Sequence, residues 1–249
     1  MSKIPVFCFS HAGGMSFAYR DFVAANGICE YIPIDTSGHG KRMGEKKYLL
    51  FDELVEDLFN KVWGRLEEGQ QFIFMGHSMG AWIAFEIAKR MQREKNRMPL
   101  LLILSSNVPA KYYTDRVSIE AEDSLIRAQL LERNPDLKQF FEDEMLCDTF
   151  YPIIKADYIA IDSYLNKPED ETKISCRVLG LLADGDRFDE ETMSKWRNYI
   201  EGDYRQIIIK GDHFAFYKEH EQVKKLIENE VSQFYGNGEL CGHGELYEI

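Results

Sequence analysis

Short, unbroken runs of apolar residues recur along this chain, and segments with apolar residues at helical spacing separate them. The apolar runs predict strands over residues 4–9, 28–34, 71–75, 100–104, 176–183 and 204–209. Strands that are apolar on both faces must be covered by helices on both sides. The alternation therefore predicts an α/β fold with a mostly parallel sheet flanked by helices.

The alternation is interrupted between residues 107 and 168, where no strand-like run occurs. The apolar spacing there predicts helices over residues 118–132, 137–145 and 149–165, with Pro152 in the first turn of the third. The aromatic residues of this segment include Phe140, Phe141, Tyr151, Tyr158 and Tyr164. They either line a substrate channel or pack the segment onto the rest of the protein, and we favour packing for most of them.

These patterns divide the chain into a core and an insertion. We interpret residues 1–106 and 169–235 as the core and residues 107–168 as a helical lid. Residues 236–249 contain short Gly-rich repeats without apolar periodicity, so we expect a mobile tail there.

The segment Gly76-His77-Ser78-Met79-Gly80 joins the strand predicted over residues 71–75 to a helix predicted over residues 81–95. A Gly-x-Ser-x-Gly motif between a strand and a helix is the nucleophile elbow, which holds one serine above the sheet edge. Its glycines allow a cramped turn and close packing of the helix on the strand. Ser78 is therefore the predicted nucleophile.

A serine hydroxyl needs a base to take its proton and an acid to orient that base. His213 follows the last predicted strand and is the predicted base, which completes the Ser, Asp, His order of α/β-hydrolases. Three acids follow the preceding strand. We favour Asp186, because Asp184 is too near the strand end and Asp189 is placed to cap the next helix.

The oxyanion hole of such an enzyme uses two backbone N–H groups. We assign them to Met79, which follows the nucleophile, and to Ala12, in the loop after the first strand. His11 and His39, in Gly-rich loops after the first two strands, are candidates for lining the same site. His77 should point away from the substrate.

Composition restricts the function further. The formal net charge of −12 argues against a nucleic-acid-binding role, and no apolar run reaches the length of a membrane span. The five cysteines lack paired spacing, so we expect reduced thiols and a cytoplasmic location. We expect a monomer that uses no metal and no cofactor. Two local basic clusters, residues 41–47 and 89–97, are either solvated loop and helix ends or a docking face for an acidic partner.

Five segments together resemble a known family. They are residues 7–14, with His-Ala-Gly-Gly, the Gly38-x-Gly40-x-Arg42 loop, residues 76–81, residues 186–196, and residues 211–214, Gly-Asp-His-Phe. The chain resembles the type II (external editing) thioesterases of nonribosomal peptide and polyketide synthesis, which are α/β-hydrolases. The resemblance implies hydrolysis of acyl groups from the phosphopantetheine arm of an acyl or peptidyl carrier protein, which clears stalled or misprimed chains.

The chain also departs from the pattern of that family. Ser10, Ser37 and Arg187 stand where the family commonly has proline, and His39 stands where it has arginine. The departures leave the predicted Ser, Asp and His residues in place. They therefore affect the choice of substrate and not the predicted catalytic residues. The alternatives are a small-molecule carboxylesterase, a chain-releasing thioesterase or cyclase, and, from another class, a catalytically silent binding protein on a hydrolase scaffold.

Overall fold

The structure is a computed structural model that describes residues 3–24 and 27–236. Its sheet has the order β2-β1-β3-β4-β5-β6, and all neighbouring strands run parallel. In chain order the strands are β1 (Ile4–Phe9), β2 (Cys29–Pro33), β3 (Ile73–His77), β4 (Leu101–Ser105), β5 (Arg177–Ala183) and β6 (Tyr204–Ile209). The predicted parallel sheet flanked by helices is confirmed.

Helices connect the strands and cover both faces of the sheet. The α-helices are α1 (Arg20–Val23), α2 (Phe51–Trp63), α3 (Met79–Lys95), α4 (Asp123–Arg133), α5 (Lys138–Glu142), α6 (Glu144–Leu165), α7 (Glu190–Ser194), α8 (Ala215–Lys218) and α9 (His220–Gly236). Short 3-10 turns lie at Ser16–Tyr19, Gly40–Arg42, Ala110–Tyr112, Pro135–Leu137 and Lys195–Tyr199. No helix of the described residues is both long enough and apolar enough to cross a membrane.

Two buried clusters sandwich the sheet, as the alternation of side chains along β1 illustrates. Phe7 and Phe9 join the cluster that contains α2 and α3, whereas Val6 and Cys8 join the cluster that contains α1, α8 and α9. Successive residues of a strand point to opposite faces, so an apolar residue at every position serves both layers. This explains why β1 is buried along its whole length.

Residues 106–176, between β4 and β5, hold α4, α5 and α6 and have a small apolar cluster of their own. The prediction that Pro152 opens a helix is wrong, because α6 begins at Glu144 and runs through that residue. Pro152 lies on the exposed face, where water can satisfy the carbonyl that loses its helical partner. Buried Cys147 and Tyr151 anchor the helix before the proline.

The strand order places the turns after β1 and β3 beside each other. From β1 the chain crosses to β2 on one side, and from β3 it continues through β4 to β6 on the other. Ligands of open parallel sheets bind in the crevice at such a switch point, outside the carboxyl ends of the strands. The tail proposed for residues 236–249 lies outside the described residues, except Gly236, where α9 ends.

Candidate active site

Ser78 occupies a strained turn between β3 and α3. Its backbone angles are φ 54° and ψ −120°, in a region that residues other than glycine rarely adopt. Its N–H donates to the Ser105 carbonyl (2.8 Å), and its own carbonyl accepts from the Asn107 side-chain amide (2.8 Å). These bonds to the end of β4 and the loop after it hold the strained conformation.

The two motif glycines are required by contact between main chains. A Cβ atom on Gly80 would collide with the carbonyl oxygen of Phe9 in β1. A Cβ atom on Gly76 would collide with the carbonyl oxygen of Gly80 itself. The start of α3 therefore packs directly on the ends of β1 and β3, which brings Ser78 to the crevice at the switch point.

His213 and Asp186 face each other across the loops that follow β6 and β5. His213 Nδ1 lies 3.1 Å from each carboxylate oxygen of Asp186, whose side chain is inaccessible to solvent. Burial alone would raise the pKa of Asp186, but hydrogen bonds with His213 and Ser106 outweigh it and hold the pKa below 3.8. The carboxylate is therefore ionised at neutral pH.

The two other acids of that loop have different partners. Asp184 accepts a hydrogen bond from the Gly211 N–H (2.8 Å). Asp189 caps α7 by accepting from the Thr192 N–H (2.7 Å), as its position in the sequence predicts. Of the three acids, the one that contacts His213 is Asp186.

Ser78 and His213 line one small cavity of about 80 Å³, together with Ala12 and Gly13. Side chains from the segment between β4 and β5 cover it, namely Leu130, Arg133, Asn134, Leu137, Ile154 and Tyr158. A larger groove of about 580 Å³ lies outside and shares His213, Arg187 and Arg133 with the cavity. The groove therefore borders the cavity on the side of these shared residues.

Residues 11–14 form a tight turn after β1. The Gly14 N–H donates to the His11 carbonyl (2.9 Å), and Gly13 has a φ of +74°, as the third residue of a type II turn requires. Within residues 3–24 and 27–236, the N–H groups of Ala12 and Met79 donate to no other group. Both N–H groups therefore lack a protein acceptor, and Ala12 also lines the cavity that contains Ser78.

Two further histidines surround His213. His77 is fully buried, its Nδ1 lies 3.0 Å from Ser105 Oγ, and its ring stacks on Phe216. Burial, with the nearby His213, lowers the pKa of His77 well below 6.5 and that of His11 to about 3. Both rings are thus neutral, so neither opposes a positive charge that forms on His213.

Of the two histidines proposed to line the site, only His11 lies at the cavity. His39 is buried and does not line the cavity, and its Nε2 lies 2.9 Å from Asp157 Oδ2 on α6. Asp157 also accepts from the Gly13 N–H (2.6 Å) and was not predicted. Its signal in the sequence was a single carboxylate within the apolar run of residues 156–161.

The aromatic residues of the inserted segment differ in position. Tyr158 lines the cavity that contains Ser78. Tyr164 instead packs on Phe51 and Trp82 of the core, and its hydroxyl donates to Glu86 (2.8 Å). A packing role therefore fits Tyr164, whereas Tyr158 contacts the space open to a substrate.

Neither basic cluster is a uniform patch of free charge. Arg42 donates to both oxygens of Asp57 (2.6 and 3.0 Å) and also pairs with Glu45. Lys89 is buried and pairs with Glu86 (2.9 Å) and Asp170 (2.8 Å). Charges neutralised in this way contribute little to long-range attraction.

Three lysines of the first cluster form no salt bridge with any acid in the described part of the chain. They are Lys41, Lys46 and Lys47. They lie in the loop after β2, the same loop that carries His39 to Asp157. The unpaired positive charge of this loop is therefore close to the edge of the sheet where Ser78 lies.

The model of the thioesterase domain family matches residues 4–231, nearly the whole chain. The chain belongs to the thioesterase family. It is 26% identical to the thioesterase PikA5 of Streptomyces venezuelae over 215 residues, which cover 86% of this chain and 75% of that protein.

Two solved structures share the fold. ClbQ, from the colibactin NRPS/PKS pathway, superposes with a TM-score of 0.85 at 23% identity, over 95% of this chain and all of that one. BorB, the type II thioesterase from the borrelidin biosynthetic cluster, gives a TM-score of 0.79 at 25% identity, over 92% of this chain and 93% of that one. The chain thus has the α/β-hydrolase fold, and the predicted resemblance to type II thioesterases is confirmed.

Proposed function

We propose that this thioesterase-family protein is a serine hydrolase that cleaves acyl groups from the phosphopantetheine arm of an acyl or peptidyl carrier protein. The observation that carries the proposal is a strained serine and a histidine–carboxylate pair around one cavity. Family membership makes a thioester the preferred substrate. The names of ClbQ and BorB, which link them to NRPS/PKS and borrelidin biosynthesis, support editing of carrier-bound intermediates as the role.

In the proposed reaction, Ser78 Oγ attacks the thioester carbonyl and its proton passes to His213. Because Nδ1 of His213 faces Asp186, Nε2 is the ring nitrogen that takes this proton. The oxyanion that forms accepts hydrogen bonds from the N–H groups of Met79 and Ala12. His213 then returns the proton to the departing pantetheine sulfur, which leaves an ester on Ser78.

The second half of the reaction releases the acid. His213 takes a proton from water, and the hydroxide equivalent attacks the ester carbonyl in the same oxyanion site. The new tetrahedral intermediate collapses to a carboxylic acid and restores the Ser78 hydroxyl with the proton held by His213. No cofactor enters the proposed sequence of steps.

The cavity beside Ser78 is too small to admit an acyl substrate unless part of the protein moves. Pockets for small ligands usually measure about 300–1,000 Å³, whereas the space beside Ser78 is about 80 Å³. We therefore assign residues 107–168 the role of a lid whose helices move outward to admit the acyl group. The pantetheine arm would lie in the outer groove, which Arg133 and Arg187 line.

The test compares kcat/KM for three substrates that carry the same acyl group. They are the acyl-loaded carrier protein, an acyl-pantetheine mimic and the ethyl ester of the same acid. We expect the carrier thioester to give the highest kcat/KM, and mass spectrometry of a slow substrate to find the acyl adduct on Ser78. Ser78→Ala should lose the adduct and nearly all turnover. An adduct on a cysteine overturns the serine mechanism, and a preference for the ethyl ester favours the carboxylesterase alternative.

A further inference from the structure

One buried carboxylate outside the proposed triad touches the turn that carries Ala12. Asp157 lies on α6, and its side chain is only 3% exposed. A single oxygen, Oδ2, accepts from the Gly13 N–H (2.6 Å) and from His39 Nε2 (2.9 Å). Asp157 therefore connects a helix of the inserted segment to the loops after β1 and β2.

Contacts within the loop after β2 fix the orientation of the His39 ring. His39 Nδ1 lies 2.7 Å from Thr36 Oγ1 and 3.1 Å from the Ser37 carbonyl, and the side chain is 2% exposed. Both ring nitrogens are thus occupied, so the ring cannot turn without losing contacts. While α6 packs on the core, the contact with His39 therefore fixes the position of the Asp157 carboxylate.

The contact on the other side is to the main chain of the turn. Gly13 has the φ of +74° of a type II turn, and a Cβ atom there would collide with the Ile154 side chain. Helix α6 therefore presses on this turn through Ile154 and binds it through Asp157, one turn further along. Rotation of the peptide between Ala12 and Gly13 would break the bond to Asp157. This peptide adjoins the Ala12 N–H, the proposed oxyanion donor.

A purely stabilising role accounts poorly for this arrangement. A buried ion pair contributes little net stability, because desolvation offsets most of the attraction between the charges. The pair of Asp157 with His39 is also bound to a backbone N–H in the turn that lines the cavity of Ser78. Its location thus indicates control of the geometry of that turn.

We propose that Asp157 is a positioning residue that holds the Ala12–Gly13 turn in its oxyanion-binding geometry while α6 covers Ser78, so that closure of α6 completes the oxyanion hole. This inference rests on the proposed function. When α6 moves outward to admit a substrate, the Gly13 N–H loses its acceptor and the turn is free to relax. Full transition-state stabilisation then returns only after the substrate is enclosed.

The test compares variants of Asp157 with a matched control on the same helix. Asp157→Asn keeps an oxygen that can accept from both donors, whereas Asp157→Leu keeps none. Ser163→Ala is the control, because Ser163 Oγ accepts from the Phe51 N–H (2.9 Å), another bond from α6 to a backbone N–H. We measure kcat and KM with a short acyl-pantetheine thioester, together with the thermal midpoint of each variant.

We expect Asp157→Leu to lower kcat by about 10- to 100-fold with KM within about threefold, since removal of a whole oxyanion donor costs about 100- to 1,000-fold. Asp157→Asn should stay within about fivefold of wild type, and Ser163→Ala within about twofold. If Asp157→Leu folds poorly, the double variant His39→Leu/Asp157→Leu leaves no unpaired buried charge and should recover stability without recovering kcat.

A wild-type kcat in either Leu variant, or an equal loss in Ser163→Ala, overturns the positioning role. The adduct on Ser78 is measured first with the wild-type enzyme. Its absence rejects the proposed function, whereas its presence together with an unchanged kcat in the Leu variants rejects only the role of Asp157.

Discussion

Replacing Asp186 by Asn tests the proposed triad most directly. Both carboxylate oxygens lie 3.1 Å from His213 Nδ1, and the side chain is inaccessible to solvent, so no water can take over the contact. The carboxylate requires a proton on Nδ1, which leaves Nε2 able to accept. An amide NH₂ facing the ring favours the opposite tautomer, in which Nε2 already carries a proton and cannot take one from Ser78.

The expected loss follows from this reversal. Substitutions that leave the geometry intact but trap the wrong tautomer lower kcat by about 10⁴-fold. At 1.36 kcal/mol for each factor of ten, that is about 5 kcal/mol of transition-state stabilisation. The pKa of Asp186 lies below its ordinary value of 3.8, so wild-type Asp186 is fully ionised at an assay pH of 7–8. Ionisation of Asp186 itself therefore adds no pH dependence to the wild-type rate over that range.

The assay is thiol release from a short acyl-pantetheine thioester, read with a chromogenic disulfide. The described cysteines Cys8, Cys29, Cys147 and Cys176 are buried, which limits their reaction with the reagent. Asp184→Asn and Asp189→Asn are the controls. The second keeps a side-chain oxygen that can cap α7, because Asn caps helices about as well as Asp, so both stability and kcat should change little. Equal activity losses in the three variants, or a loss below tenfold in Asp186→Asn, would refute the assignment.

Three further predictions concern the lid, the docking surface and pH. Tyr158→Ala should enlarge the small cavity and shift the acyl preference toward longer chains, measured as kcat/KM over a series of acyl lengths. Changing Lys41, Lys46 and Lys47 to Glu should lower kcat/KM for an acyl-carrier substrate and flatten its dependence on salt, with the pantetheine mimic unaffected. Burial lowers the pKa of His39, but its carboxylate partner outweighs this and raises it above 6.5. The stability that wild type has over His39→Gln is therefore full below pH 6.5 and is lost as pH rises through the higher folded pKa, which urea unfolding at several pH values measures.

Each of these experiments has its own control. A fluorophosphonate should label Ser78 in Tyr158→Ala at the wild-type rate, and a slower rate would mean that Tyr158 supports the core. Arg42 is left unchanged in the lysine variant, because it pairs with Asp57 and its loss would disturb the loop. If kcat/KM for the acyl-carrier substrate is unchanged in the lysine variant, this loop is excluded as the docking site. A stability difference for His39→Gln that grows with pH would contradict the sign of the pKa shift.

Local constraints made much of this protein readable from its sequence. A parallel sheet covered on both faces needs apolar residues at every strand position, so the strands appear as unbroken runs whatever their neighbours are. The elbow is equally local, because Gly76 and Gly80 are demanded by main-chain contacts within a few residues of Ser78 or with the adjacent strand. The parallel arrangement then collects the residues that follow the strands at one edge.

The tertiary structure decided what depends on partners far along the chain. The pairing of Asp157 with His39 joins residues 118 positions apart, and the pairing of Lys89 with Asp170 joins residues 81 positions apart. No periodic pattern in the sequence indicates either pairing, because nothing in the residues around each carboxylate distinguishes it from an acid on the surface. The continuity of α6 through Pro152 was decided in the same way, by burial of Cys147 and Tyr151 against the rest of the fold. Spacing along a sequence encodes contacts within an element, whereas contacts between elements depend on how the elements pack together.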